Sequence, residues 1–242
     1  MKTIISKDDF EIQQDEDNTN TYTIHFSTYS ESLIKSLIKT RIILGATSTN
    51  NYKSVFFKAV TVKTFKQFQN ECKILQGTPK MRTYMAAKMV DTLATQLNYL
   101  ITVNFQTFIG YNTENILVID DNKFIYLGIS HLLNIDVEDE TAMITYPFTP
   151  YDFLLSPELS KINELPAYVH YKVAYFSLAS IIVYALTGDD DFFLKGILED
   201  EKSREQYIND SLDKLHINGT KLYWLLKRSL VEEPKNRSII FI

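Results

Sequence analysis

The chain has 242 residues, with 25 Lys and Arg against 30 Asp and Glu, four His, seven Gly and one Cys. That length suits one large domain or two lobes on a shared core, and 45% apolar with 23% charged residues is an ordinary globular composition. No two of the glycines at 45, 77, 110, 128, 188, 196 and 219 lie closer than eight residues, which excludes G-x-G-x-x-G and Walker phosphate loops.

Cys72 alone cannot make an internal disulfide, and residues 1–10 carry Lys2, Lys7, Asp8 and Asp9 with no apolar signal core. Both features suit a reducing, cytoplasmic setting. The longest apolar-rich stretch, 169–186, is interrupted by His170 and Lys172 and is too short for a membrane span, so no membrane partner is expected. Charge is uneven: residues 1–30 are net −4, 31–90 net +9 and 91–242 net −10. The basic 31–90 segment, with Lys53, Lys58, Lys63, Lys66, Lys73, Lys80, Arg82 and Lys88, could attract a polyanion or nucleic acid. No stacking or base-reading motif accompanies it, and a solvated lysine face is the simpler reading.

Phe10 and Ile12, then Tyr22, Ile24 and Phe26, alternate with polar residues about the polar run 13–20, which predicts a hairpin over 10–26. Leu33, Ile34, Leu37 and Ile38 predict a helix over 29–39. Val55, Phe57, Val60 and Val62 make 53–62 strand-like, and 64–75 reads as a helix ended by Gly77 and Pro79. Met81, Met85, Met89, Leu93, Leu97 and Ile101 recur every four residues, a core-facing helical stripe. Strands at 116–119 and 123–127 flank the turn Asp120-Asp121-Asn122. The acidic run 136–140 with Pro147, Pro150 and Pro157 predicts a long surface loop. Residues 173–186 are apolar almost all round and predict a buried central helix stopped by Gly188. The remainder reads as helical, with loops at 189–191 and near Gly219.

In this order the segments resemble a eukaryotic-type protein kinase, chiefly its C-terminal lobe. The H-R-D-L-x-x-x-N pattern and the strand after it are matched by Phe108-Ile109-Gly110-Tyr111-Asn112-Thr113-Glu114-Asn115 and Ile116-Leu117-Val118. Ser156-Pro157-Glu158 is similar to A-P-E. The stretch from Tyr175 to Gly188 resembles the family's central helix, and Leu225 to Leu230 with Glu233-Pro234 and Arg237 resembles its C-terminal ending. The resemblance covers about residues 80–242. It implies an α+β, bilobal protein kinase-like fold: a small truncated β-rich N-lobe at 1–79 (hairpin, helix C-like segment, strands and a short helix) and a mainly helical C-lobe at 80–242. In the register that leaves room for the intervening elements, Glu31 takes the place of the helix C glutamate, residues 22–26 offer no lysine, and the first strand and glycine loop are lost. The resemblance also implies an ion pair between Glu158 and Arg237, buried and preferably bidentate.

Kinase chemistry needs one carboxylate to take the substrate hydroxyl's proton and another to hold Mg²⁺. Gly110 stands at the first position. At the second, Tyr126-Leu127-Gly128 or Gly128-Ile129-Ser130 replaces D-F-G, and no Asp or Glu occurs from Asn122 to Ile135. The central-helix aspartate corresponds to Ala174, and only Asn115 is kept. The expectation is a pseudokinase without catalytic residues, cofactor or metal, acting as a protein-binding scaffold or regulator. An atypical nucleotide-dependent transferase, using Asp120, Asp121 or Asp136, is the alternative, and polyanion binding through 31–90 is the second. Cys72 has no nucleophile signature with His25, His131, His170 or His216, the histidines lack metal-ligand spacing, and 136–140 and 189–191 lack the glycine and closing glutamate of an EF-hand.

Overall fold

Alternating apolar side chains build the first sheet. The structure is a computed structural model and describes residues 1–49, 51–71, 78–148, 156–188 and 201–240. Strands β1 (Lys2–Ser6), β2 (Phe10–Gln14), β3 (Thr21–Phe26), β4 (Thr47–Ser48) and β5 (Ser54–Lys58) form an antiparallel sheet in the order β1-β2-β3-β5-β4. Phe10 pairs with Phe26 and Ile12 with Ile24, which sets all four on one buried face. Helix α1 (Glu31–Lys39) follows β3, its N-terminus capped by the Ser30 hydroxyl accepting from the Leu33 N–H, and it buries Leu33, Ile34 and Leu37.

β1 corrects the expectation that the first strand had been lost. Its ladder shifts register between Thr3 and Ile5, so a bulge breaks the alternation and leaves only Ile5 buried. The 53–62 strand also divides. β5 stays in the first sheet, while β6 (Val62–Thr64) joins a second one, and Val60 between them is exposed. The Asp120 carboxylate accepts the Val60 and Thr61 N–H groups at 2.7 and 3.2 Å and fixes this break.

Helix α2 (Phe65–Glu71) precedes the 26-residue α3 (Pro79–Asn104). Pro79 opens α3 at its first turn, behind a Thr78 cap, instead of closing the helix before it. Met85, Met89, Leu93 and Leu97 line the core, whereas Met81, in the first turn, is exposed. Phe105 ends α3 in the left-handed region at φ 52°. Strands β7 (Gln106–Phe108), β8 (Ile116–Ile119) and β9 (Lys123–Tyr126) follow, and β6-β8-β9 form the second sheet.

Within the expected long loop, 141–144 form a strand, and 149–155 lie outside the described residues. β10 (Leu132–Asp136) and β11 (Thr141–Ile144) form a hairpin, β12 (Ala167–His170) adds to its edge, and the order is β12-β11-β10-β7. The acidic run is that hairpin's turn. Asp136 Oδ1 accepts from the Glu138 and Asp139 N–H groups, and Glu140 sits at φ 56°. Local carboxylate-to-backbone bonds stand in for the glycine that usually marks such a turn.

Helices α4 (Pro157–Ser160), α5 (Val173–Thr187), α6 (Glu201–Lys214) and α7 (Lys221–Ser229) complete the α+β fold. α5 buries side chains all round, packs against α3 and α7, and ends where Gly188, at φ 74°, donates to Tyr184 O. Each fully buried Leu, Ile or Val there contributes about 1.5–3 kcal/mol. The main core runs from Ile5 to Leu230 and draws on both sides of residue 79, and β6 is hydrogen-bonded to β8 across that boundary. Cys72, Gly77, Pro150 and 189–191 lie outside the described residues. Among the described residues no helix is long and apolar enough to cross a membrane.

Candidate functional site

Two 3₁₀ turns flank the β8–β9 hairpin and present its polar groups. At Thr113–Asn115, the Asn112 side chain accepts from the Glu114 N–H at 2.8 Å, while Asn115 O accepts from the Leu127 N–H at 3.0 Å. At Ile129–His131, the His131 N–H closes on Gly128 O at 3.2 Å, and His131 O accepts from the Ile109 N–H at 2.8 Å. These bonds hold Asn115 and Ser130 in place from beneath.

The β1–β2 turn covers them. Asp9 is 7% exposed, and its backbone O accepts the Ser27 N–H at 3.0 Å and hydroxyl at 3.1 Å. Its Oδ2 accepts from the Ser130 hydroxyl at 2.9 Å, the Ser130 N–H at 3.4 Å and the Asn115 amide at 3.5 Å. Lys7, two residues earlier, pairs with Glu114. The turn is therefore latched to both 3₁₀ turns, by a carboxylate on one side and an ammonium on the other. Asp9 was not among the sequence-derived site residues. A contact spanning 121 positions leaves no local signal.

Behind this latch lies an aromatic wall. Tyr126 is fully buried, with its ring 4.8 Å from that of Phe108 and 4.7 Å from that of Tyr111. Its backbone is clamped by Gln96, whose amide donates to Tyr126 O at 2.8 Å and whose oxygen accepts the Tyr126 N–H at 2.9 Å. The Tyr126 hydroxyl accepts from the Asn112 N–H at 3.2 Å and hydrogen-bonds His131 Nδ1. Burial raises its pKa, with the Asn112 N–H opposing, so the phenol stays protonated. Burial and then the Asp9 charge push the Tyr146 phenol up to about 12.

A side chain at Gly128 would force its neighbours to shift. A Cβ would stand 2.7 Å from Tyr126 Oη and 2.9 Å from His131 Nδ1. Gly110 is buried between Ile109 and Tyr111. Ala174 is buried in α5, and one turn further on Ser177 Oγ accepts the Tyr111 N–H at 2.8 Å. Ser177 thus props the Gly110 segment.

The other expected acids are engaged elsewhere. Asp120 caps the β5–β6 break, Asp121 pairs with Lys63 at 3.0 Å, and Asp136 closes its hairpin turn. Lys63 is further paired with Glu71 at 2.7 Å, so part of the basic segment is neutralised within the fold. Glu31 bonds Lys35 on its own helix and the Tyr29 hydroxyl, with no partner from β3. Glu158 and Arg237 meet side by side. No group of three or more His, Cys, Asp or Glu among the described residues is arranged to hold a metal ion. No model of a known protein family and no curated protein matches this chain.

Proposed function

We propose that this chain is a catalytically inactive, kinase-like protein that serves as a protein-binding scaffold or regulator inside the cell. The carrying observation is the latch. Asn115, the one residue that matches the kinase metal-binding pattern, gives its amide to the chain's own Asp9. A carboxylate already held there by Ser130 would repel a nucleotide's phosphates. The turn between β1 and β2 has no glycine to wrap phosphate, and Gly110 supplies no base.

Several features support the kinase-like reading. Helix α1 lies between β3 and β4, the long α3 precedes a strand–turn–strand unit, and Glu158 is tied to Arg237. Ser177 props the Gly110 segment without an aspartate, which suits a loop kept for its shape. Thermal unfolding with ATP or GTP, with and without Mg²⁺ or Mn²⁺, tests the reading, since a ligand of the native state raises the melting temperature. No shift is expected, and a concentration-dependent rise would overturn it. Gentle crosslinking and affinity purification from the native cell should return a stoichiometric protein partner.

A further inference from the structure

We propose that the Asp9 carboxylate fills, in cis, an anion-binding seat that a carboxylate from outside occupies when the β1–β2 turn lifts. Three donors converge on one oxygen: the Ser130 hydroxyl at 2.9 Å, its N–H at 3.4 Å and the Asn115 amide at 3.5 Å. The backbone that carries them is held without Asp9. Asn115 is fixed by Asn112 and Leu127, and Ser130 by the turn that Gly128 and His131 close. Removing Asp9 therefore leaves the backbone frame of the seat in place, with the Ser130 N–H still presented by its turn.

The seat is also within reach. Ser130 is solvent-exposed, and the covering turn leads from β1, an edge strand held by β2 alone. A carboxylate tethered to the same chain acts at a high effective concentration, so free carboxylates compete poorly in the intact protein. An acidic side chain presented by a partner would arrive with its own neighbouring contacts and compete on better terms. The seat stands on these contacts alone and does not rest on the kinase-like reading.

Formate is the probe, because Asp9→Ala deletes a group of that shape. Asp9→Ala should lower the melting temperature by about 3–10 °C, the loss of hydrogen bonds to a charged group. Formate should restore at least half of that, while formamide and sodium chloride at equal concentration should not. The intact protein should show no formate response, and Asp9→Ala combined with Ser130→Ala should lose the rescue. The Ser130 amide should exchange hydrogen about tenfold faster in Asp9→Ala, and formate should slow it again. Asp9→Asn, which keeps the side chain's shape, should show the same faster exchange if Asp9→Ala does not fold. Equal rescue by chloride, rescue that survives Ser130→Ala, no rescue, or a stronger effect of inorganic phosphate than of formate would each overturn the assignment. Nucleotide binding is a separate readout, so its presence or absence leaves this result unchanged.

Discussion

Arg237 and Glu158, 79 positions apart, meet through two parallel hydrogen bonds, and every N–H group of the guanidinium finds an oxygen. Nη1 and Nη2 each donate to one carboxylate oxygen, the Nη2 bond being 2.7 Å. Nε donates to Val231 O at 2.7 Å, Nη2 to Glu232 O at 2.8 Å and Nη1 to Lys172 O at 3.4 Å. The guanidinium also lies 5.0 Å from the Phe176 ring centroid. Arg237 is 1% exposed, so one side chain ties α4, the start of α5 and the C-terminal segment together.

Glu158→Ala is expected to destabilise the protein by about 3–5 kcal/mol in urea unfolding, because it strands a buried charge. Arg237→Lys should cost a similar amount, since a lysine cannot offer a planar fork to five oxygens. Replacing both residues by apolar ones should recover only part of the loss. The carbonyls of Val231 and Glu232 would still lack their donor, while Lys172 O keeps the Tyr175 N–H. Full recovery, or a Glu158→Ala cost below about 1 kcal/mol, would mean the pair is ornamental to stability.

Gly128→Ala should destabilise by about 1–3 kcal/mol, through the overlap of its Cβ with the Tyr126 hydroxyl and His131. Tyr126→Phe should also cost about 1–3 kcal/mol, since the half-buried Asn112 N–H loses its acceptor. The two effects share one contact and should not add. The double variant should fall short of the sum of the singles by at least about 0.5 kcal/mol, which a double-mutant cycle in urea measures. Strict additivity would show that the crowding at Gly128 is relieved without touching Tyr126.

How much of this was legible in the sequence depends on the range of the interaction. The β2–β3 hairpin, α1 and α3 follow from periodicity, because one face of each is buried against the same core, and α5 follows from an apolar run buried all round. The Glu158–Arg237 pair followed from family pattern, which carries long-range information that local pattern lacks. β1 was hidden by its bulge. The β10–β11–β12 sheet was hidden by an acidic turn and short strands whose partners are distant in the chain. Ser177 could have been found, since it lies three residues from Ala174, on the same face of α5. Asp9 could not, because only the folded sheet brings it to Ser130.

Acid should weaken the β11–β12 corner through His170. Its Nδ1 accepts the Lys172 N–H at 3.2 Å, and Nε2 lies 3.4 Å from Glu140. Burial lowers its pKa from 6.5; Glu140 opposes this, while Lys172 and Arg237 add to it. The neutral ring is thus favoured by folding. Its contribution is complete above the unfolded pKa near 6.5 and is lost as pH falls through the lower folded value. The melting-temperature difference between the wild type and His170→Gln should be constant above about pH 7.5 and shift against the wild type as pH drops below 6.5. Parallel curves from pH 7.5 to 5 would remove His170 from the acid response.

Gly110→Asp tests whether a single restored carboxylate brings back chemistry, and the expected answer is that it does not. Phosphoryl transfer needs its base, its metal ligands and its phosphate cradle together, and groups that act as a unit do not contribute independently. In this chain the stretch from Asn122 to Ile135 has no carboxylate, β1 and β2 are joined by Lys7-Asp8-Asp9, and Asn115 is engaged by Asp9. The new side chain would enter a buried position flanked by Ile109 and Tyr111, whose exposures are 0% and 1%. An unpaired carboxylate there must either be protonated or strain the segment that Ser177 props, at a cost of about 2 kcal/mol or more. The purified variant should therefore unfold at lower urea than the wild type and should transfer no radiolabelled phosphate from ATP to itself or to generic substrates. Label that appears with Gly110→Asp and disappears when Asn115→Ala is added would show that the remaining groups suffice, and the reading of this chain as inactive would fall.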